Sequence, residues 1–132
     1  MRVFIVEDSV IVRGRIIVNL SSMKGVTICG MSGVMEDALI GIEKEKPDVV
    51  IIDLKIFGGS GIDVLKVIKE ETPHVTAIVL TNYPFQQYRE RCRDLGVDYF
   101  FDKSTEFDRA FEVIAGIMRG ERPEFPGHSA GV

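Results

Sequence analysis

The 132-residue chain has no tryptophan and only two cysteines, Cys29 and Cys92, far apart in sequence. That excludes a disulfide-stapled scaffold, and both thiols read as free, buried groups in a reducing compartment. There is no C-x-x-C pair and no His/Cys set with zinc spacing, which excludes a zinc module and a dithiol redox site. Positive charge is also short: 16 Lys and Arg stand against 20 Asp and Glu, for a net charge of −4. With no Lys/Arg cluster to offset that balance, a surface for nucleic-acid phosphates is not expected. No apolar run approaches the roughly 20 residues needed to span a bilayer. The opening MRVFIVED reaches its first acids straight after Val6, which leaves no signal-peptide core. A cytoplasmic protein without membrane contact is expected. The length allows one domain with a real core and is too short for two.

What is present is organised around residues 48–61, DVVIIDLKIFGGSG. Val49, Val50, Ile51 and Ile52 run straight into Asp53. A β-branched run of this length predicts a strand buried on both faces, as in a parallel sheet. Gly58, Gly59 and Gly61 follow and predict a flexible loop. Similar apolar runs predict strands at 3–6, 26–31, 75–80 and 97–101. Between them, apolar residues recur at helical spacing. Val12, Ile16, Leu20 and Met23 mark helix 1, capped by Ser9. Met35, Ala38, Leu39 and Ile42 mark helix 2, which Pro47 stops. Leu65 and Ile68 mark helix 3, with Ser60 and Asp63 at capping-box spacing. Phe85, Tyr88, Cys92 and Leu95 mark helix 4, and Phe107, Phe111, Ile114 and Met118 mark helix 5.

Five strands alternating with five helices predict an α/β fold: one doubly wound, flavodoxin-like domain whose five-stranded parallel sheet has the order 2-1-3-4-5. The domain is expected over residues 1–119. From 120 to 132 the sequence GERPEFPGHSAGV loses periodicity, so a flexible tail is expected, with His128 in solvent.

The polar residues just past the strands carry the chemistry. They are Glu7 and Asp8 after strand 1, Asp53 after strand 3, Thr81 after strand 4 and Lys103 after strand 5. In a parallel sheet all of them lie on the carboxyl edge, and strands 1 and 3 flank the switch point where ligands bind. Three carboxylates then share one pocket. At an effective dielectric near 20, a unit pair about 5 Å apart costs roughly 3 kcal/mol. A divalent cation relieves that crowding, and an all-oxygen set favours Mg²⁺, or Mn²⁺ in its place. Lys103 can reach a phosphate or a carboxylate, and Thr81 offers a hydroxyl. A nucleophilic carboxylate, a metal, a cation and a hydroxyl donor are the equipment for phosphoryl transfer to an aspartate.

In this arrangement the chain resembles the receiver domain of bacterial two-component response regulators, over about residues 2–119. The motifs are VED (6–8), IIDL (51–54) with Gly61 eight residues past the Asp, VLT (79–81) and FFDK (100–103). The form expected is a stand-alone receiver of the chemotaxis-regulator kind. The resemblance implies that Asp53 accepts a phosphoryl group from a sensor histidine kinase or a histidine phosphotransfer protein. It implies Mg²⁺ on Asp8, Asp53 and the backbone carbonyl of Lys55, with Glu7 acting through a water. Thr81 and Lys103 would bind the phosphoryl group, and Phe100 would turn inward as Thr81 moves. Lys55 and Tyr83 would flank the path of the hydrolytic water, and the large Tyr83 is expected to slow hydrolysis. Helix 4, strand 5 and helix 5 would form the face that changes, for a downstream protein or a homodimer. No separate small-molecule turnover is expected.

Three residues depart from the receiver pattern. Phe57 stands four residues past the acceptor, where Pro is frequent. Ser104 follows the lysine, where Pro in a cis bond is usual, so the 103–104 bond can be cis or trans. Phe100 lacks the hydroxyl of the frequent Tyr, so a stronger preference for the buried rotamer is expected. A phosphatase of the haloacid dehalogenase type would want an Asp where Lys55 stands. A flavodoxin would want a hydroxyl- and glycine-rich loop where the acidic EDSV stands. The alternative that remains is a receiver-like interaction module that is never phosphorylated.

Overall fold

In a computed structural model the described residues, 1–125, form β1 (Arg2–Val6), α1 (Val10–Ser21), β2 (Thr27–Ser32), α2 (Met35–Glu45), β3 (Val49–Ile52), β4 (Lys55–Ile56), β5 (Gly59–Ser60), α3 (Gly61–Glu71), β6 (Thr76–Thr81), α4 (Gln86–Asp94), β7 (Tyr99–Asp102) and α5 (Arg109–Met118). The main sheet is parallel in the order β2-β1-β3-β6-β7. This is the expected doubly wound order, with β6 and β7 as the expected fourth and fifth strands.

Side chains alternate across each strand, and the alternation divides the core in two. Phe4, Val6, Val50, Ile52, Ala77, Val79 and Phe100 face the layer that includes α2 and α3. Val3, Ile5, Val49, Ile51, Ile78, Leu80, Tyr99 and Phe101 face the layer that includes α1 and α5. All four residues of β3 and all six of β6 are buried, as strands covered on both faces must be. Neither cysteine is bonded to another. Burial pushes the Cys92 thiol up to about 11, so it is an inert core group. Cys29, expected to be buried, is only partly so.

The helix signals operate as expected at most ends. Ser9 caps α1 by accepting from the Val12 N–H at 3.3 Å. Ser60 caps α3, but it accepts from Ile62 at 3.0 Å, so the bond lies one residue earlier than a capping box would put it. Phe85 departs from the expected inner face of α4. It is the N-cap residue and is half exposed, and its ring lies 6.0 Å from that of Tyr88. The glycine-rich stretch after Asp53 is not a loose loop either. Residues 59–60 pair antiparallel with 55–56, across a turn in which Gly58 has φ +79°.

The chain past α5 is ordered as far as it is described. Gly120, with φ +80°, turns it back. Arg122 then donates to Asp98 and to the Thr76 hydroxyl, both at 3.1 Å. The Tyr99 hydroxyl donates to the Pro123 carbonyl at 2.8 Å, and the Phe125 ring meets Phe101 edge-on at 5.3 Å. Of the expected tail, residues 126–132, His128 among them, lie outside the described residues. Among the described residues no helix is long and apolar enough to cross a membrane.

Candidate functional site

Because the five strands run the same way, β1, β3, β6 and β7 deliver their polar residues to one edge. Glu7, Asp8 and Asp53 come together there, with a carboxylate oxygen of each within 4.8 Å of the others. Glu7 and Asp53 are buried and Asp8 is half-buried. Lys103 answers them. Its ammonium lies 2.7 Å from Glu7 Oε1 and 3.3 Å from Asp53 Oδ2, and its side chain is only 6% exposed. Such a long cationic side chain is rarely so enclosed unless it is paired.

Burial pushes the Glu7 carboxyl above the ordinary glutamate range. The hydrogen bond from Lys103 pulls it back, and the neighbouring Asp53 charge raises it again. The Ser9 N–H also donates to Glu7 Oε2 at 3.1 Å. Three close carboxylate oxygens, with one ammonium against two of the acids, form a hard oxygen set that fits a small divalent cation.

Thr81 is fully buried at the end of β6, and its hydroxyl accepts from the Tyr83 N–H at 3.0 Å. Lys55 leaves the site after Asp53. Its N–H approaches Asp53 Oδ1 at 3.5 Å, and its ammonium lies 4.8 Å over the Tyr83 ring. Phe100 is buried among Val79, Ala77 and the core on its side, with the Arg89 guanidinium 4.6 Å above its ring. The peptide bonds of the described residues are all trans, that of Lys103 and Ser104 included.

Gly33 carries no motif signal, and Gly61 and Asp102 stand within the motifs without a role that the sequence states. Gly33 passes so close to Asp8 that a β-carbon there would meet the Asp8 Cα at 2.6 Å. Gly61 is closer still, since its β-carbon would run into the carbonyl oxygen of Asp53. Asp102 receives both the N–H and the hydroxyl of Ser104, at 2.9 and 2.7 Å. The Ser104 hydroxyl holds the Asp102 carboxyl below its usual range.

A family model described as the response regulator receiver domain matches residues 3–115. The chain belongs to that family. It is therefore a receiver of two-component signalling, a family that binds Mg²⁺ at an acidic pocket, and Glu7, Asp8 and Asp53 form an acidic cluster here that could hold such an ion. Among its relatives are the response regulator proteins VraR of Staphylococcus epidermidis and Staphylococcus aureus, each 26% identical over 121 residues. That alignment covers 92% of this receiver and 58% of VraR, so the chain spans little more than half the length of these relatives. The isolated receiver of RcsB from Salmonella enterica serovar Typhimurium, solved with the phosphomimetic BeF₃⁻, superposes with a TM-score of 0.84 at 26% identity, over 94% of each chain. The response regulator domain of Thermotoga maritima CheB shares the fold at 20% identity, with a TM-score of 0.78 over 96% of this chain and 98% of that one.

Proposed function

We propose that the receiver is a phosphorylation-dependent switch in which Asp53 takes a phosphoryl group from a phosphohistidine of a sensor histidine kinase or histidine phosphotransfer protein. The observation that carries this reading is the Lys103 ammonium, held between Glu7 and Asp53 at 2.7 and 3.3 Å. It offers fixed positive charge beside the acceptor, where the transferring group develops charge on its oxygens. In the transfer, an Asp53 carboxylate oxygen forms a bond to phosphorus as the phosphorus–nitrogen bond breaks. The leaving imidazole keeps the electron pair of that bond and, because its other ring nitrogen already carries a proton in the phosphohistidine, ends neutral. The carboxylates of Asp8 and Asp53 and the Lys55 carbonyl would hold Mg²⁺ or Mn²⁺, with Glu7 acting through a water. Bound there, the ion would neutralise phosphoryl oxygens.

Thr81 and Lys103 would draw the added charge toward themselves, and Phe100 would respond to the movement of Thr81. The readout is then α4, β7 and α5, offered to a downstream protein or to a second copy. This places the protein with its kinase's phosphohistidine in the cytoplasm, and assigns it no turnover beyond its own phosphorylation and dephosphorylation.

The test is intact-mass measurement after incubation with Mg²⁺ and a small phosphodonor. The parent should gain the mass of one phosphoryl group, and Asp53→Asn should gain none. A parent that stays unmodified would instead favour an interaction module, and sustained release of phosphate would favour a phosphatase.

Tyr83 adds a rate. The Lys55 ammonium lies 4.8 Å over its ring, and Lys55 stands two residues past the acceptor. Tyr83→Ala is expected to shorten the life of the aspartyl phosphate by about tenfold or less, the scale of one displaced shielding contact. Decay of the phosphoryl adduct after donor removal measures it, and equal half-lives would contradict the shielding.

A further inference from the structure

The loop that carries Lys103 is held by side chains. Ser104 donates twice to Asp102 Oδ1, from its N–H at 2.9 Å and from its hydroxyl at 2.7 Å. On the other side, the Asp102 N–H donates to Glu106 Oε1 at 3.0 Å, and the Glu106 N–H donates back to the Asp102 carbonyl at 2.7 Å. Lys103 is the residue enclosed by these bonds. Its own N–H donates to the Thr81 carbonyl at 2.8 Å, so the turn is pinned to the end of β6. From this turn the Lys103 side chain runs inward, and its ammonium meets Glu7 and Asp53.

The turn also reaches α4. A guanidinium nitrogen of Arg89 lies 3.9 Å from Glu106 Oε1, the oxygen that already accepts from Asp102. The same guanidinium covers the Phe100 ring at 4.6 Å. Glu106 is further held by Arg109 at 2.6 Å. Arg89 therefore touches both the buried aromatic of β7 and the anchor of the Lys103 turn. A shift of α4 that moves Arg89 changes the charge beside Glu106, and a shift of the turn is felt at Arg89.

We propose that Ser104 is a positioning residue for phosphoryl transfer: the Asp102–Ser104 turn, anchored by Glu106, aims the Lys103 ammonium, and Arg89 couples that turn to α4. Ser104 is exposed and touches no reacting atom, so it acts through Asp102 and the backbone of Lys103. The proposal rests on the reading of Asp53 as phosphoryl acceptor.

The test uses the full chain with Ser104→Ala, Ser104→Thr, Arg89→Ala and the Ser104→Ala/Arg89→Ala double variant. The first readout needs no phosphoryl transfer and no metal: the proton–nitrogen NMR signal of the Lys103 ammonium. The second is the rate of phosphoryl adduct formation from acetyl phosphate with Mg²⁺, across donor concentration. Ser104→Ala should weaken the ammonium signal and lower the maximal rate by about fivefold, the worth of one hydrogen bond, with the half-saturating donor concentration unchanged. Ser104→Thr keeps a hydroxyl and should return both to within about twofold of the parent. The double variant should lose less than the product of the two single losses, because Ser104 holds Asp102, Arg89 approaches Glu106, and Asp102 and Glu106 are bonded to each other. A merely structural role would lower thermal stability and leave the ammonium signal and maximal rate unchanged, and that result overturns the proposal. So does a Ser104→Thr variant as slow as Ser104→Ala. If the parent takes up no phosphoryl group, the acceptor reading falls, and the ammonium signal alone decides the turn: unchanged in Ser104→Ala it refutes the positioning, weakened it supports it.

Discussion

Lys103→Met should destabilise the fold by about 3–5 kcal/mol at neutral pH, the usual cost of removing one partner from a buried ion pair. Methionine matches the length and apolar stem of lysine, so little volume is lost and the effect is mainly charge. The parent ammonium is only 6% exposed and serves two acids at once. Without it, Glu7 and Asp53 face each other in a buried pocket with no cation beside them.

The loss should depend on pH in a direction fixed by Glu7. Burial holds its carboxyl above the ordinary glutamate range, against the pull of Lys103. Between the ordinary value and the raised one, the folded chain binds more protons than the unfolded chain. Stability therefore falls as pH rises through that window. In Lys103→Met the restraining hydrogen bond and charge are gone, so the window extends further upward. Urea titrations with a chelator present, at about pH 5 and about pH 8, should show the variant closer to the parent at the acid end. Glu7→Gln added to Lys103→Met removes the titrating group and should recover about half the loss or more at the upper pH. A Lys103→Met protein as stable as the parent at both values would show that the pocket does not depend on this pair.

The sequence carries the sheet because buried strands need unbroken apolar runs, and such runs are conspicuous. Val49 to Ile52 ends at Asp53, and the run 3–6 ends at Glu7, so the same boundary marks both the strand and the site. Parallel pairing then brings these ends together, which is why Glu7, Asp8, Asp53 and Lys103, dispersed along the chain, meet at one edge of the sheet. Features made by pairing without periodicity are not legible in this way. Asp98 accepts from Lys69 at 2.7 Å, from Arg122 at 3.1 Å and from the Ala77 N–H at 2.8 Å, yet nothing in sequence links those positions. Phe85 has helical spacing with Tyr88, but it is the N-cap, directly after Pro84, and makes no side-chain capping bond. The ribbon of Lys55–Ile56 with Gly59–Ser60 is made of backbone bonds, which a glycine-rich sequence cannot advertise through side chains. Phe125 is a lone aromatic between prolines, and only the folded β7 supplies its partners Tyr99 and Phe101.

Gly61 was legible as a spacing, eight residues past Asp53, but its physical reason lies in the backbone. A β-carbon at Gly61 would collide with the carbonyl oxygen of Asp53, and would meet its carbonyl carbon at 2.8 Å and Ile52 Cγ2 at 2.9 Å. Two of these three contacts are main-chain atoms of the proposed acceptor, which cannot rotate away as a side chain can. The Gly61 N–H also donates to the Leu54 carbonyl at 2.9 Å, so the close approach is clamped. Gly61→Ala should therefore cost about 3 kcal/mol, the upper end of ordinary overpacking. It should also displace the Asp53 peptide and slow phosphoryl uptake by about tenfold or more, since sub-ångström misplacement of a nucleophile is costly. Gly14→Ala is the matched control. A β-carbon there meets nothing within 4 Å, inside α1, so the same substitution should stabilise the chain by up to about 1 kcal/mol. Urea midpoints and initial rates of adduct formation separate the two. If Gly61→Ala matched the parent on both measures, the acceptor would not depend on this backbone contact.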